Sequence, residues 1–124
     1  MIKEKFILRC LSKRIKARIY RSTKGNCSIK NWEKLVGFTI KELKEYLEKT
    51  MPNGYTWEDY IYGKIVVDHI IPISAFNIKS PNSLDFKRCW ALSNLRLLPA
   101  KENIQKRDRL QKPFQPAFAI CGGN

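Results

Sequence analysis

Two short runs rich in β-branched and aliphatic residues limit the folds open to this chain. The first, Ile65-Val66-Val67-Asp68-His69-Ile70-Ile71, is closed by Pro72, and the second, Leu95-Arg96-Leu97-Leu98, ends at Pro99. Such runs are typical of strands, and proline ends a ladder because it has no N–H to donate. The connection from Ser74 to Ser93 is long and is expected to carry a short helix after Ser80-Pro81-Asn82.

The first segment of the chain has a helical pattern. Apolar residues recur there at spacings of three and four: Leu8, Leu11, Ile15 and Ile19. This spacing predicts an amphipathic basic helix from Ile2 to about Arg21, because residues three and four apart share one helix face. Its charged face is either simply solvated or lies along phosphates. Gly25-Asn26 then predicts a turn.

Helix start and stop signals divide the middle of the chain. A short helix around residues 32 to 36 is expected to end at Gly37. Thr39 and Glu42 have the spacing of a capping box, which predicts a helix through Leu47 that stops at Pro52-Asn53-Gly54. Thr56 predicts another helix start or one irregular turn. The three tryptophans are interpreted as core anchors rather than base-stacking platforms: Trp32, Trp57 and Trp90.

The second half therefore has the order strand, long loop, strand, and then a basic helix from Ala100 to about Gln111. The predicted class is α+β, with a helical, basic N-terminal half packed on this strand-strand-helix unit. The expected division is one domain over residues 1 to 112, with a helical lead-in over 1 to 64 and the strand-strand-helix unit over 65 to 112. Residues 113 to 124 are expected to form a tail.

The charge balance points to a polyanionic partner. The chain has 24 Lys and Arg against 11 Asp and Glu, a formal net charge of +13. Residues 1 to 30 carry ten basic and one acidic side chain, and residues 65 to 112 carry nine and four, whereas the middle is nearly neutral. Nucleic acid is the favoured partner. Ribosomal, packaging and membrane-surface proteins also have such an excess, so charge alone names no activity.

Other sequence features indicate the cellular location, the state of the cysteines and the oligomeric state. No apolar run reaches the length of a membrane span and the first residues lack a signal-peptide pattern, so a cytoplasmic protein with no membrane partner is expected. The four cysteines form no Cys-x-x-Cys pair and are read as reduced thiols, with a structural zinc site as the alternative. We expect a monomer or weak dimer and no small-molecule cofactor.

One histidine carries the candidate chemistry. His69 is the only histidine in the chain and follows Asp68 directly. Taken alone, a single histidine is more often a structural residue than a catalyst. Its context favours a catalytic role for His69, because Asn103 lies in the last predicted helix on the same face as Lys106 and Arg107.

Three motifs in order resemble the HNH endonuclease family, whose active site is a ββα-metal unit. The matching segments are Val67-Asp68-His69-Ile70-Ile71-Pro72-Ile73-Ser74, Cys89-Trp90-Ala91-Leu92-Ser93-Asn94-Leu95-Arg96-Leu97-Leu98 and Ala100-Lys101-Glu102-Asn103-Ile104-Gln105-Lys106. Residues 35 to 43 and 56 to 60 look like the lead-in of small phage and bacterial members. The resemblance covers roughly residues 30 to 110 and implies an enzyme that cuts double-stranded DNA, leaving 5′-phosphate and 3′-hydroxyl ends.

The resemblance also implies residue roles. His69 matches the general base, Asp68 and Asn103 match the metal ligands, and Asn94 matches the asparagine that holds the unit and the base in place. Carboxylate and amide oxygens are hard ligands, which favours Mg²⁺, with Mn²⁺ or another divalent cation as a substitute. Contacts to DNA phosphates are expected from eight basic residues: Lys13, Arg14, Arg18, Arg96, Lys101, Lys106, Arg107 and Arg109.

The chain departs from the family pattern at two positions. An upstream histidine common in the family is missing near Val66, and Arg96 stands where glutamine is common. There is also a geometric demand: neighbouring strand residues point to opposite faces, yet Asp68 and His69 must both reach one phosphate. We therefore expect the strand to end or bend at Asp68. The alternatives to a nuclease are a DNA-binding module that does not cut and a basic RNA-binding structural protein.

Overall fold

The computed structural model describes residues 2 to 104, which form a mixed helical and strand fold. The predicted α+β class is confirmed. Five α-helices and one two-stranded antiparallel sheet lie within these residues, and the chain is helical again over residues 100 to 104. The helices are α1 (Glu4–Ser22), α2 (Trp32–Val36), α3 (Ile40–Glu48), α4 (Trp57–Ile61) and α5 (Leu84–Cys89), and the strands are β1 (Ile65–His69) and β2 (Leu95–Pro99).

The sheet is a hairpin with a long connection. Ile65 pairs with Pro99 and His69 pairs with Leu95, so β1 and β2 match over their full length. The connection carries α5 between two 3₁₀ turns, Ile73–Ala75 and Leu92–Asn94. The Ala100 N–H donates to the Lys64 carbonyl at 2.9 Å, so the 100–104 turn begins at the opposite end of the hairpin from His69.

Helix α1 forms one wall of the core. Its buried side chains are Ile7, Leu11, Ile15 and Ile19. The predicted helix is confirmed, but its apolar stripe differs at one position: Leu8 is only half-buried, and Ile7 is buried instead. Ile7 lies four residues before Leu11 and so continues the line of Leu11, Ile15 and Ile19, whereas Leu8 lies at the margin of that face.

Three boundaries of the short helices lie at residues that the sequence signals indicated. Gly37 ends α2 with φ 85°, a left-handed conformation that glycine adopts without steric cost. Thr39 accepts from the Glu42 N–H at 3.1 Å and Glu42 accepts from the Thr39 N–H at 2.8 Å, so the predicted capping box opens α3. The Thr56 N–H donates to Asp59 at 2.8 Å at the start of α4.

Aromatic side chains from separate elements meet in the core. Trp90 and Phe86 are fully buried and Trp32 is nearly so, while the half-buried Trp57 packs against the same cluster, as expected for core anchors.

No helix among residues 2 to 104 combines the length and the apolar character needed to cross a bilayer. The expected helix through Gln111 is observed as far as residue 104; its remainder and the expected tail lie outside the described residues.

Candidate functional site

Strand β1 carries Asp68 and His69 to opposite faces of the hairpin. The strand does not end at Asp68, because pairing continues through His69 opposite Leu95. Side chains alternate along a paired strand, so the two residues start from opposite faces of the hairpin, although both are buried. We call the face with Ile65, Val67 and His69 the inner face, and the face with Val66 and Asp68 the outer face.

On the inner face, His69 is built into the core. Its side chain is buried, with the residue only 3% exposed. The Trp90 ring packs edge-on against the imidazole, with centroids 4.5 Å apart and planes at 86°. The Trp90 Nε1–H donates to Ser22 Oγ at 3.1 Å, at the end of α1. The imidazole is therefore held between the hairpin, the residue after α5 and α1.

An arginine from α1 also reaches His69. Arg18 Nη1 donates to the Val67 carbonyl at 2.6 Å, and its Nη2 lies 3.3 Å from His69 Nδ1. Burial lowers the pKa of Arg18 and nearby Arg21 lowers it further, whereas Asp68 raises it. A guanidinium remains charged at neutral pH despite such shifts. The side chain expected to bind DNA phosphate therefore turns inward onto the candidate base.

On the outer face, Asp68 is held by a cross-strand cation. Arg96 is its direct partner in the pairing register, and Arg96 Nε donates to Asp68 Oδ2 at 3.0 Å. The carboxylate side chain is 6% exposed and that of Arg96 is 39% exposed. The expected metal ligand thus lies next to the positive charge that departs from the family pattern, at the position where glutamine is common.

Asn94 fixes the chain segment that follows His69. Its Oδ1 accepts from the Ile71 N–H at 2.8 Å, and its Nδ2 donates to the carbonyls of Ile71 at 3.1 Å and Cys89 at 2.9 Å. Its own carbonyl accepts from the Ile70 N–H at 2.8 Å. These bonds join the end of β1, the end of α5 and the start of β2. Asn94 thus contacts the two residues that follow His69, and its role in holding the base stays a prediction.

Asn103 lies in the helical turn over residues 100 to 104, directly after β2. Ala100 and Asn103, three residues apart, are half-buried, whereas Lys101, Glu102 and Ile104 are exposed. In the described part of the chain, no three His, Cys, Asp or Glu side chains form a group that could hold a metal ion. The expected ligand pair is of another kind, one carboxylate and one amide, and such oxygen donors fit Mg²⁺ or Mn²⁺ with water and phosphate completing the coordination.

The expected DNA-contacting residues divide into three groups. Lys13 and Lys101 are exposed. Arg14, like Arg18, bonds to backbone carbonyls: it donates to Tyr60 at 2.8 Å and Ile61 at 3.0 Å, with its guanidinium 4.7 Å from the Tyr60 ring centroid. Arg96 also bonds within the protein, to Asp68, and the other three lie outside the described residues: Lys106, Arg107 and Arg109.

Comparison of the chain with protein-family models, with curated proteins and with solved structures finds no match. The resemblance to HNH endonucleases therefore depends on the motifs alone. Sequence reasoning missed two contacts of the site, those of Arg18 and Trp90 with His69. Arg18 lies 51 positions from His69, and helical periodicity places a residue on a face without saying which distant group it meets.

Proposed function

We propose that this protein is a metal-dependent DNA endonuclease of the HNH type. The observation that carries the proposal is the arrangement of the three motifs. Asp68 and His69 end β1, Asn94 fastens the end of β1 to the start of β2, and β2 runs directly into the helical turn that bears Asn103. A strand-strand-helix order is what the resemblance to a ββα-metal unit implies, and it supports the proposal.

The proposed reaction is hydrolysis of a phosphodiester bond. His69 accepts the proton of a water molecule as the water oxygen bonds to phosphorus and the bond from phosphorus to the 3′ oxygen breaks. The leaving oxygen takes the bonding electron pair and is protonated from solvent. Asp68 and Asn103 would hold a Mg²⁺ or Mn²⁺ ion, which neutralises charge on the phosphoryl oxygens and the leaving group when bound.

Binding is proposed to depend on phosphate contacts spread over the basic surface. The net charge of +13 far exceeds what solubility needs, and Lys13 and Lys101 are exposed on separate helical segments. Each lysine or arginine that neutralises a phosphate releases counterions, so affinity for duplex DNA is expected to fall steeply with salt.

A DNA-binding module that does not cut is the second candidate, and two observations favour it. His69 is buried beside Trp90, and the Asp68 carboxylate is bonded to Arg96. A nuclease must expose the imidazole to water and share Asp68 with a cation when it binds DNA. A binding module needs neither change, because both groups would then be structural.

Plasmid cleavage separates the two candidates. Supercoiled plasmid incubated with Mg²⁺ or Mn²⁺ is expected to become nicked or linear, and His69→Ala is expected to slow this about 10² to 10⁴-fold while binding is retained. Asp68→Asn is expected to act similarly by weakening the metal site.

Asp85→Asn is the matched control for Asp68→Asn. Asp85 accepts from the Asn77 N–H at 2.7 Å in the connection, away from the hairpin, and asparagine keeps that acceptor. Its cleavage rate should equal that of the wild type. Duplex binding without cleavage by the wild-type protein would assign the binding module instead, and a preference for structured RNA over duplex DNA would contradict both.

A further inference from the structure

We propose that Arg18 is a positioning residue for His69, keeping the ring proton on Nε2 so that Nδ1 is the nitrogen that accepts a proton. The contact itself is independent of any activity, but its catalytic meaning rests on the proposed function. Arg18 is not part of the three motifs. It comes from α1, which the sequence indicated only as a basic, amphipathic helix.

The chemistry of the two groups sets the direction of the hydrogen bond between them. Guanidinium has five N–H donors and no acceptor, whereas a neutral imidazole has one donor nitrogen and one acceptor nitrogen. With Arg18 Nη2 at 3.3 Å from Nδ1, the hydrogen bond requires the lone pair on Nδ1. The proton of the neutral ring is then on Nε2. The hydrogen bond made by one ring nitrogen thus sets the role of the other.

The position of Arg18 is fixed on both sides. Its Nη1 donates at 2.6 Å to the carbonyl of Val67, two residues before His69 on the same strand. Its backbone lies between Ile15 and Ile19, which anchor α1 in the core. One guanidinium therefore bridges the backbone of β1 and the imidazole at the end of that strand, so it orients the ring as well as selecting its tautomer.

Arg14 offers a comparison within the same helix. It lies one turn before Arg18 and also uses both terminal nitrogens on the protein, at the carbonyls of Tyr60 and Ile61. The two arginines thus share their helix, their charge and their kind of backbone contact. They differ in that Arg18 also contacts His69 Nδ1. Replacing each in the same way separates the effect on the imidazole from the loss of a helix arginine.

The contact has a consequence for the reaction. The water that gives its proton to Nδ1 must take the place of the Arg18 N–H there. A phosphate oxygen is a stronger acceptor for guanidinium than a neutral imidazole nitrogen, because that bond joins opposite charges. Bound DNA would therefore draw Nη2 away from the ring while Nη1 stays on Val67. Arg18 would orient the base in the free protein and contact phosphate in the complex.

Nitrogen NMR tests the tautomer directly, since the chain has a single histidine and its ring signals need no assignment. Long-range ¹H–¹⁵N correlation would be recorded at about pH 8.5, above the usual imidazole pKa. The wild type is expected to show Nε2 protonated and Nδ1 strongly downfield. Arg18→Met should give averaged shifts that indicate mixed tautomers, whereas Arg18→Lys, which keeps a cationic donor, and Arg14→Met should keep the wild-type pattern.

Three results would overturn the inference. They are an Nδ1-protonated ring in the wild type, an unchanged spectrum in folded Arg18→Met, and averaged shifts in Arg14→Met. The first needs no variant, so it decides the matter even if Arg18→Met does not fold. A duplex added with EDTA should move the wild-type Nδ1 signal downfield, and an unmoved signal with DNA bound would contradict the exchange step.

The cleavage assay is read separately. Arg18→Met is expected to lower kcat about 10²-fold, more than it raises KM, with partial rescue in Arg18→Lys. If the wild type cleaves DNA but its His69 ring carries the proton on Nδ1, the positioning role of Arg18 is contradicted and the nuclease proposal is not. If the wild type shows the proton on Nε2 but does not cleave DNA, the Arg18 contact is supported and the nuclease proposal is contradicted.

Discussion

The two faces of the hairpin hold their functional side chains in different ways. On the inner face, the His69 ring packs against a fully buried tryptophan and receives a hydrogen bond from a helix arginine. On the outer face, Asp68 is bonded to an arginine whose side chain is 39% exposed. The imidazole is thus part of the core, whereas the carboxylate has a partner that solvent and anions can reach.

The inner face is therefore expected to determine the stability of the fold, and the outer face the affinity of Asp68 for cations. Inner-face residues are close-packed, so changing them first removes folding energy and only then chemistry. In the outer-face ion pair Asp68 is buried but Arg96 is solvated, so replacing Arg96 with a residue that still donates a hydrogen bond should first alter which cation Asp68 binds.

Trp90→Ala should cost about 3 to 5 kcal/mol of unfolding free energy, because it leaves a large cavity beside His69 and removes the bond to Ser22. Urea denaturation of the purified protein measures the loss. Trp57→Ala is the matched control, since Trp57 is half-buried, and should cost clearly less. Equal costs for the two tryptophans would contradict the view that the inner face supports the core.

Asn94→Ala should cost about 2 to 3 kcal/mol, because it leaves the Ile71 N–H and two carbonyls without the partner they have in the wild type. Asn94→Asp keeps the acceptor for Ile71 but sets a carboxylate against the carbonyls of Ile71 and Cys89. It should therefore be no more stable than the alanine variant. Denaturation midpoints decide this, and near wild-type stability in either variant would show that the hairpin closes without this clamp.

Local sequence signals predicted the elements well because each depends on neighbouring residues. The capping box at Thr39, the glycine at Gly37 and the two strand runs all act within a few positions, and each is observed. The motif residues Asp68 and His69 were also found from their order along the chain. Their presence at the end of one strand follows directly from their adjacency.

Long-range pairings could not be predicted from the same signals. Arg14 and Arg18 looked like phosphate-binding residues because their charge is visible in the sequence, but the carbonyls that they meet are not. The strand was expected to end at Asp68, but Leu95 is available to pair with His69 and extends it. The register of the two strands also sets Arg96 opposite Asp68. Neither strand sequence by itself shows this pairing.

Arg96→Gln, which restores the residue common in the resembling family, should act on metal binding more than on folding. Arg96 is 39% exposed and glutamine keeps a donor for the buried Asp68 carboxylate, so the change in unfolding free energy should stay near about 1 kcal/mol. Removing a cation next to the carboxylate should raise affinity for Mn²⁺ about tenfold, because repulsion and competition for Asp68 both disappear. Calorimetric titration with Mn²⁺ measures this without any DNA cleavage.

The matched control is Arg88→Gln, an exposed arginine on α5. It removes the same charge without touching Asp68, so its Mn²⁺ affinity should stay near that of the wild type. An equal gain in both variants would assign the effect to net charge rather than to the Arg96 contact. Weaker Mn²⁺ binding in Arg96→Gln would mean that the arginine orients the carboxylate for the ion, and the outer face would then be as preorganised as the inner one.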